Sequence, residues 1–146
     1  MANRPMSQGL ASRPTASLIR VCRARDLIRE YYAHGVSLAD CAAEAELSPW
    51  HLLRSFRAAF GETPQEFLTR LRLERARHLL TVTDRSVTEV CLDVGFSSLG
   101  TFSLLFKRHI GCSPREYRRQ VRRWVRMPGF LPWASIPSCF VRRFGG

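Results

Sequence analysis

The sequence predicts an all-α fold in which a two-helix unit occurs twice, and three observations carry that expectation. Residues 37–68 (SLADCAAEAELSPWHLLRSFRAAFGETPQEFL) and residues 86–118 (SVTEVCLDVGFSSLGTFSLLFKRHIGCSPREYR) hold the same landmarks in the same order. Phe56, Gly61 and Pro64 return fifty positions later as Phe106, Gly111 and Pro114, while the opening serines, Ser37 and Ser86, stand forty-nine apart. The second copy therefore has one extra residue near its break. Apolar residues recur at helical spacing, and no segment sustains the alternation of a strand. A repeat of this kind, two short helices around a tight turn, has the helix-turn-helix shape.

The elements follow in order. Residues 1–17 are small, polar and Pro-containing, a composition that predicts disorder. A first helix is expected from about Leu18 to His34, with Ile19, Cys22, Leu27, Ile28 and Tyr31 available for burial and Gly35 at its end. Ser37 and Asp40 form a capping-box pattern at the start of a helix through Ala45. Ser48-Pro49 opens the next helix, Pro being suited to a first helical position, and Leu52, Phe56 and Phe60 make its buried stripe. Thr63-Pro64 begins a longer helix to about Leu80, a rod between the two units. Ser86 with Glu89 opens the second unit, and Gly95 supplies the positive φ that a tight turn needs. Phe102, Phe106 and Ile110 repeat the stripe, and Ser113-Pro114 starts a last helix bearing Tyr117, Val121, Trp124 and Val125. The division expected is a disordered 1–17, a first unit over 18–63, a connecting helix over 64–82, a second unit over 83–126 and a Pro- and aromatic-containing tail over 127–146. The prolines of that tail forbid one long helix, and its apolar content suits packing back onto the helices or a partner surface.

Composition narrows the partners. The 146 residues carry a net charge of +11, which favours polyanions. Of the 23 basic residues only Lys107 is a lysine, and the planar guanidinium suits phosphates and guanine edges better than an ammonium does. Residues 95–146 set ten basic residues against Glu116 alone, a balance of +9, whereas residues 1–94 balance at +2. Five cysteines without a C-x-x-C, the absence of a signal-like or membrane-length apolar run, and Cys41 and Cys91 at apolar helix positions predict a soluble, cytoplasmic chain.

Val87, Val90, Gly95-Phe96, Phe102, Phe106-Lys107, Gly111, Pro114 and Tyr117-Arg118, preceded by Arg72-Leu73, Ala76 and Leu79-Leu80, stand at the spacing of one known pattern. Over about residues 20–120 the chain resembles the DNA-binding domain of the AraC/XylS family of bacterial transcription regulators, with Cys91 where a small Ala is usual. The resemblance implies seven helices in two helix-turn-helix subdomains joined by a long helix. It also implies double-stranded DNA as the partner, with RNA polymerase as a candidate second one. Most relatives carry a sensing and dimerisation domain, for which seventeen N-terminal residues are too few. The chain looks like the short single-domain members, which act as monomers, and its tail resembles an extension found in a subset of them.

A recognition helix buries one stripe and turns the other to the groove. With Leu52, Phe56 and Phe60 inward, Trp50, Leu53 and Arg54 become candidate base contacts, and His51 and Arg57 candidate phosphate contacts. Trp50 and Arg54 also fall where the family approaches bases, and Arg54 can donate twice to guanine O6 and N7. A solvated Arg54 and a half-buried Trp50 are the plainer alternative. In the second unit Gly100 and Leu104 take the base-facing places, with Ser103 and Lys107 beside the phosphates. Relatives often hold long polar residues there. Gly100 and Leu104 cannot donate to a base edge, and Leu104 suits either a thymine methyl or the core. Arg118, Arg119, Arg122, Arg123 and Arg126 line one side of the last helix, and Arg118, Arg122 and Arg123 are further phosphate candidates against the alternative of a solvated face.

Other chemistry finds little support. His34, His51, His78 and His109 have no ligand spacing with one another or with cysteines, so no metal or other cofactor is expected. Glu44/Glu46 and Glu62/Glu66 read as solvated carboxylates rather than an acid–base pair. No nucleophile-elbow, Walker or dinucleotide glycine pattern is present. A sequence-specific regulator is the leading expectation and no enzymatic activity is expected. An architectural DNA binder with little sequence preference is the first alternative, and a DNA-repair module associated with alkyl transfer the second.

Overall fold

The computed structural model describes residues 16–125. Among them are seven helices and no strand: α1 (Ala16–Tyr31), α2 (Leu38–Glu44), α3 (Pro49–Phe60), α4 (Pro64–Val82), α5 (Val87–Asp93), α6 (Leu99–Ile110) and α7 (Pro114–Val125). The expected packing of the tail lies outside the described residues.

Local chemistry fixes the helix starts. Ser37 Oγ accepts from the Asp40 N–H at 3.1 Å while Asp40 accepts the Ser37 N–H at 2.9 Å. The same reciprocal box joins Thr63 to Glu66, Ser86 to Glu89 and Ser113 to Glu116. Each box satisfies two amide groups that the first helical turn would otherwise leave bare. Glu66 is thus an exposed carboxylate that also serves as a capping residue. Glu62 also has a partner, accepting from Arg70 at 2.7 Å.

The first unit packs Val21, Ala24 and Ile28 of α1 against Cys41, Ala42 and Ala45, Leu52 and Phe56 of α3, and Phe67 and Leu68 of α4. The second packs Leu73, Ala76 and Leu80 of α4 against Val90, Cys91, Val94, Phe102 and Phe106. Phe60 and Ile110, expected to be buried, sit half-buried at the core margins. On α1 the buried stripe is displaced from the expected one. Val21 and Ala24 are inside with Ile28, whereas Ile19 and Tyr31 are exposed and Cys22 and Leu27 are half-buried. The helix also starts at Ala16, so Ser17 and Ala16 are helical, and it stops at Tyr31 rather than His34.

Helix α4 is more than a spacer. At about 1.5 Å per residue its 19 residues span roughly 28 Å. Its N-terminal half completes the first core and its C-terminal half founds the second.

Candidate nucleic-acid interface

The turn between α2 and α3 and the turn between α5 and α6 use one device. The Leu47 N–H donates to the Ala42 carbonyl and the Glu46 N–H to the Ala43 carbonyl. Their counterparts are Phe96 to Cys91 and Gly95 to Leu92. Both are Schellman closures, in which the first residue past the helix takes a left-handed conformation. Glu46 has φ 53° and Gly95 φ 91°. The next helix is then capped by Ser48, whose hydroxyl accepts from the His51 N–H, or by Ser98, which accepts from the Thr101 N–H, both at 3.3 Å. Ser97 is therefore the extra residue of the second copy.

Helices α3 and α6 have no acidic residue in their first turn, unlike the four helices opened by capping boxes. Their N-termini keep an uncompensated positive dipole, which favours an anion. Both helices turn a buried stripe inward, Leu52 and Phe56 in one, Phe102 and Phe106 in the other. Trp50 (69% exposed), Arg54 and Arg57 therefore look outward from α3, with His51 beside them. Arg54 makes no hydrogen bond or ion pair among the described residues. Leu53 departs from expectation: it is half-buried, on the flank of the helix rather than its crest.

On α6 the outward positions are Gly100, Leu104 and Lys107, with Ser103 half-buried on the flank. Leu104 is 70% exposed, which removes the core alternative for this residue. A Cβ built on Gly100 would meet only Ser98 Oγ, at 3.8 Å. The middle of α6 thus presents a smooth face with one apolar projection.

The arginines of α7 do not form a uniform solvated row. Arg115, Arg118, Arg119, Arg122 and Arg123 line an open groove of about 400 Å³. Arg122 donates to Asp84 at 2.6 Å, an ion pair across 38 residues of sequence that the charge run alone does not reveal. Arg118 is half-buried, and its Nε and Nη2 are shielded from solvent without an acceptor among the described residues. Burial, with Arg122 alongside, weakens the hold of its guanidinium on the proton. Such donors cost free energy while they lack an acceptor.

Cys41 and Cys91 are packed in the two cores, and burial pushes the Cys41 thiol up to about 11 and raises that of Cys91. A nucleophilic thiol needs the opposite shift. Among the described residues no three His, Cys, Asp or Glu side chains converge, and no helix is long and apolar enough to cross a membrane.

Comparison with known proteins places this geometry. A family model described as a helix-turn-helix domain matches residues 41–120. The transcriptional activator RhaS of Escherichia fergusonii is 42% identical over 92 residues, covering 63% of this chain and 33% of that protein. RhaS of Klebsiella pneumoniae is 36% identical over 110 residues, covering 75% of this chain and 40% of that protein. The chain therefore spans about a third of the length of the curated relatives it matches. Among solved structures, the DNA-binding domain of the global transcriptional factor AdpA, in complex with a target DNA, superposes with a TM-score of 0.68. It is 30% identical and covers 71% of this chain and 94% of that one. A transcriptional regulator with an AraC-type DNA-binding domain from Chromobacterium violaceum superposes at 0.67. It is 33% identical and covers 77% of this chain and 97% of that one.

Proposed function

Since the chain belongs to the AraC family of helix-turn-helix domains, we propose that it is a sequence-specific DNA-binding transcription regulator that inserts α3 and α6 into adjacent major-groove segments of one duplex. The observation that carries this reading is the pair of equivalent outward faces, Trp50/Arg54/Arg57 and Gly100/Leu104/Lys107, on helices whose N-termini carry no acid. Arg54 reads a guanine by two hydrogen bonds, and Trp50 packs its ring against the neighbouring base or sugar. Leu53 supports them from the flank. Leu104 meets a thymine methyl, and Gly100 lets the helix approach the groove floor closely. His51, Arg57, Ser103 and Lys107 hold phosphates on either side.

The α7 groove adds a contact without sequence information. Arg123 takes a backbone phosphate directly, Arg118 does so once its shielded Nε and Nη2 are uncovered, and Arg122 by exchanging Asp84 for it. The first unit begins with α1 at Ala16, the second ends with α7, and residues 64–82 are shared between their cores. One chain fills one asymmetric site, and RNA polymerase is the partner that an activator on such a site would meet. The reaction is binding alone, carried out in the cytoplasm.

Selection of bound fragments from a random duplex pool, followed by footprinting, tests the reading. The expected result is one asymmetric motif with two elements centred about 10 base pairs apart. A pool that stays random after selection would favour the architectural alternative, and an inverted palindrome filled by two chains would refute the monomeric site.

A further inference from the structure

The equivalent turns of the two units differ at one position, and the difference is informative. Glu46 holds its left-handed conformation with a side chain attached. At Gly95 a side chain is excluded by a neighbour as well as by φ. A Cβ there would stand 2.8 Å from the carbonyl oxygen of Ala33 and 3.0 Å from that of Tyr32. Those carbonyls belong to the corner between α1 and α2, in the other unit. The turn of the second unit is therefore seated directly on the backbone of the first.

Arg72 of α4 fastens this seat. Its Nε donates to the Tyr32 carbonyl at 2.7 Å, and its guanidinium lies over the Phe96 ring, 5.6 Å from the centroid. Tyr32 packs on the first core and Phe96 on the second. The Tyr32 carbonyl lies past the end of α1 and needs a donor, and the Phe96 face attracts the planar cation. One side chain thus ties both units at a point away from the axis of α4. A single helix fixes the separation of what it joins but resists twisting and bending less well. A second point of attachment removes that freedom.

We propose that the seat formed by Tyr32, Ala33, Gly95 and Phe96, locked by Arg72, fixes the angle between α3 and α6, and so sets the half-site spacing that the protein accepts. Arg72 and Gly95 are positioning residues: they determine specificity without touching DNA. This rests on the reading that α3 and α6 both enter one duplex, and two measurements separate the ideas.

The first needs no DNA. Residual dipolar couplings of the full chain should fit one alignment tensor across both units in the wild type, and two different tensors in Arg72→Ala. Gly95→Ala, which pushes the seat apart from the other side, should act in the same way if Arg72→Ala fails to fold. The second measurement titrates duplexes in which the two selected half-sites are moved apart one base pair at a time. The wild type should show a single sharp optimum. The folded variant should bind the α3 half-site alone as before, lose on the order of tenfold or more on the optimal full site, and accept a wider range of spacings. A variant with the wild-type tensor would overturn the proposal, as would two tensors combined with an unchanged spacing optimum. One tensor in a wild type indifferent to spacing would instead refute the two-helix reading of the function.

Discussion

Superposed by their repeat, the two helix-turn-helix units agree where they face inward and diverge where they face outward. Cys41, Ala42 and Ala45 answer to Val90, Cys91 and Val94, and Leu52 and Phe56 to Phe102 and Phe106, all buried. The box of Thr63 and Glu66 answers to that of Ser113 and Glu116. Outward, Trp50 answers to Gly100 and Arg54 to Leu104. Packing tolerates few changes of volume or polarity, so the interior of each unit is held to one solution. The exposed positions carry no packing constraint and are free to differ. An arginine fork beside an indole can demand a particular base, whereas a leucine beside a glycine can favour only a methyl. On the proposed reading the pair is a strong reader linked to a weak one, with most of the positive charge on the weak reader's side of the chain.

The sharpest way to break this comparison is to ask whether the two units exist apart. Leu71→Pro costs about 3 kcal/mol in a helix interior, and it falls between the residues that α4 gives to each core. Both units should unfold together, and circular dichroism should lose nearly all helical signal. Retention of about half of that signal would show the units to be independent. Arg54→Ala comes next, with a loss of about 1–3 kcal/mol on the selected site and relaxed preference at one or two positions. Competition against random duplex checks it, since an equal loss on both would make Arg54 a phosphate contact.

Arg123→Ala should instead weaken all sequences alike and shallow the slope of log K against log salt by about 0.9. A salt titration on specific and random duplexes reads that slope. A smaller effect belongs to Leu104→Ala, about 0.5–1 kcal/mol from the apolar area lost. Replacing thymine by uracil in the second half-site should produce a similar loss in the wild type and none in Leu104→Ala. Uracil without effect on the wild type would remove the methyl contact.

The mildest probe is acid. The carboxyls of Asp40, Glu66, Glu89 and Glu116 are held below their usual range by hydrogen bonds from the capping Ser or Thr. For Asp40 and Glu89 the hydroxyl is the larger cause, and for Glu66 and Glu116 the backbone N–H. Each is ionised more readily folded than unfolded. The stability they contribute is complete above the ordinary carboxylate range and is lost as pH falls through the lowered folded values. Melting temperature should drop over that acidic interval, and less so after Ser86→Ala, which has already removed one box.

Features whose partners are a few residues apart were legible in the sequence. The boxes of Ser37 and Ser86, the Phe stripes and the turn at Gly95 all follow from spacing. The boxes at Thr63 and Ser113 carry the same S/T-x-x-E signal, which at Thr63 is obscured by the neighbouring Glu62. The α1 stripe is less legible because Ile19 and Tyr31 outweigh Ala24 in hydrophobicity, yet Ala24 lies inside with Val21 and Ile28. Nothing local announces the Arg122–Asp84 pair or the Arg72–Tyr32 bond, which close 38 and 40 residues of chain. The candidate interface was read in part for the same reason. Its crests follow from helical period, but the half-burial of Leu53 and Ser103 depends on which neighbours the helix acquires.

Helix α4 closes the first unit as α7 closes the second, and it opens the second as α1 opens the first. A helix counted twice should make the domain a single melting unit, so that ligation anywhere on it is felt everywhere. A short duplex carrying only the α3 half-site, at a hundred times its dissociation constant, stabilises the folded state by about 2.7 kcal/mol. That gain should appear undiminished in the amide exchange of Val90 and Phe106, residues that the duplex never reaches.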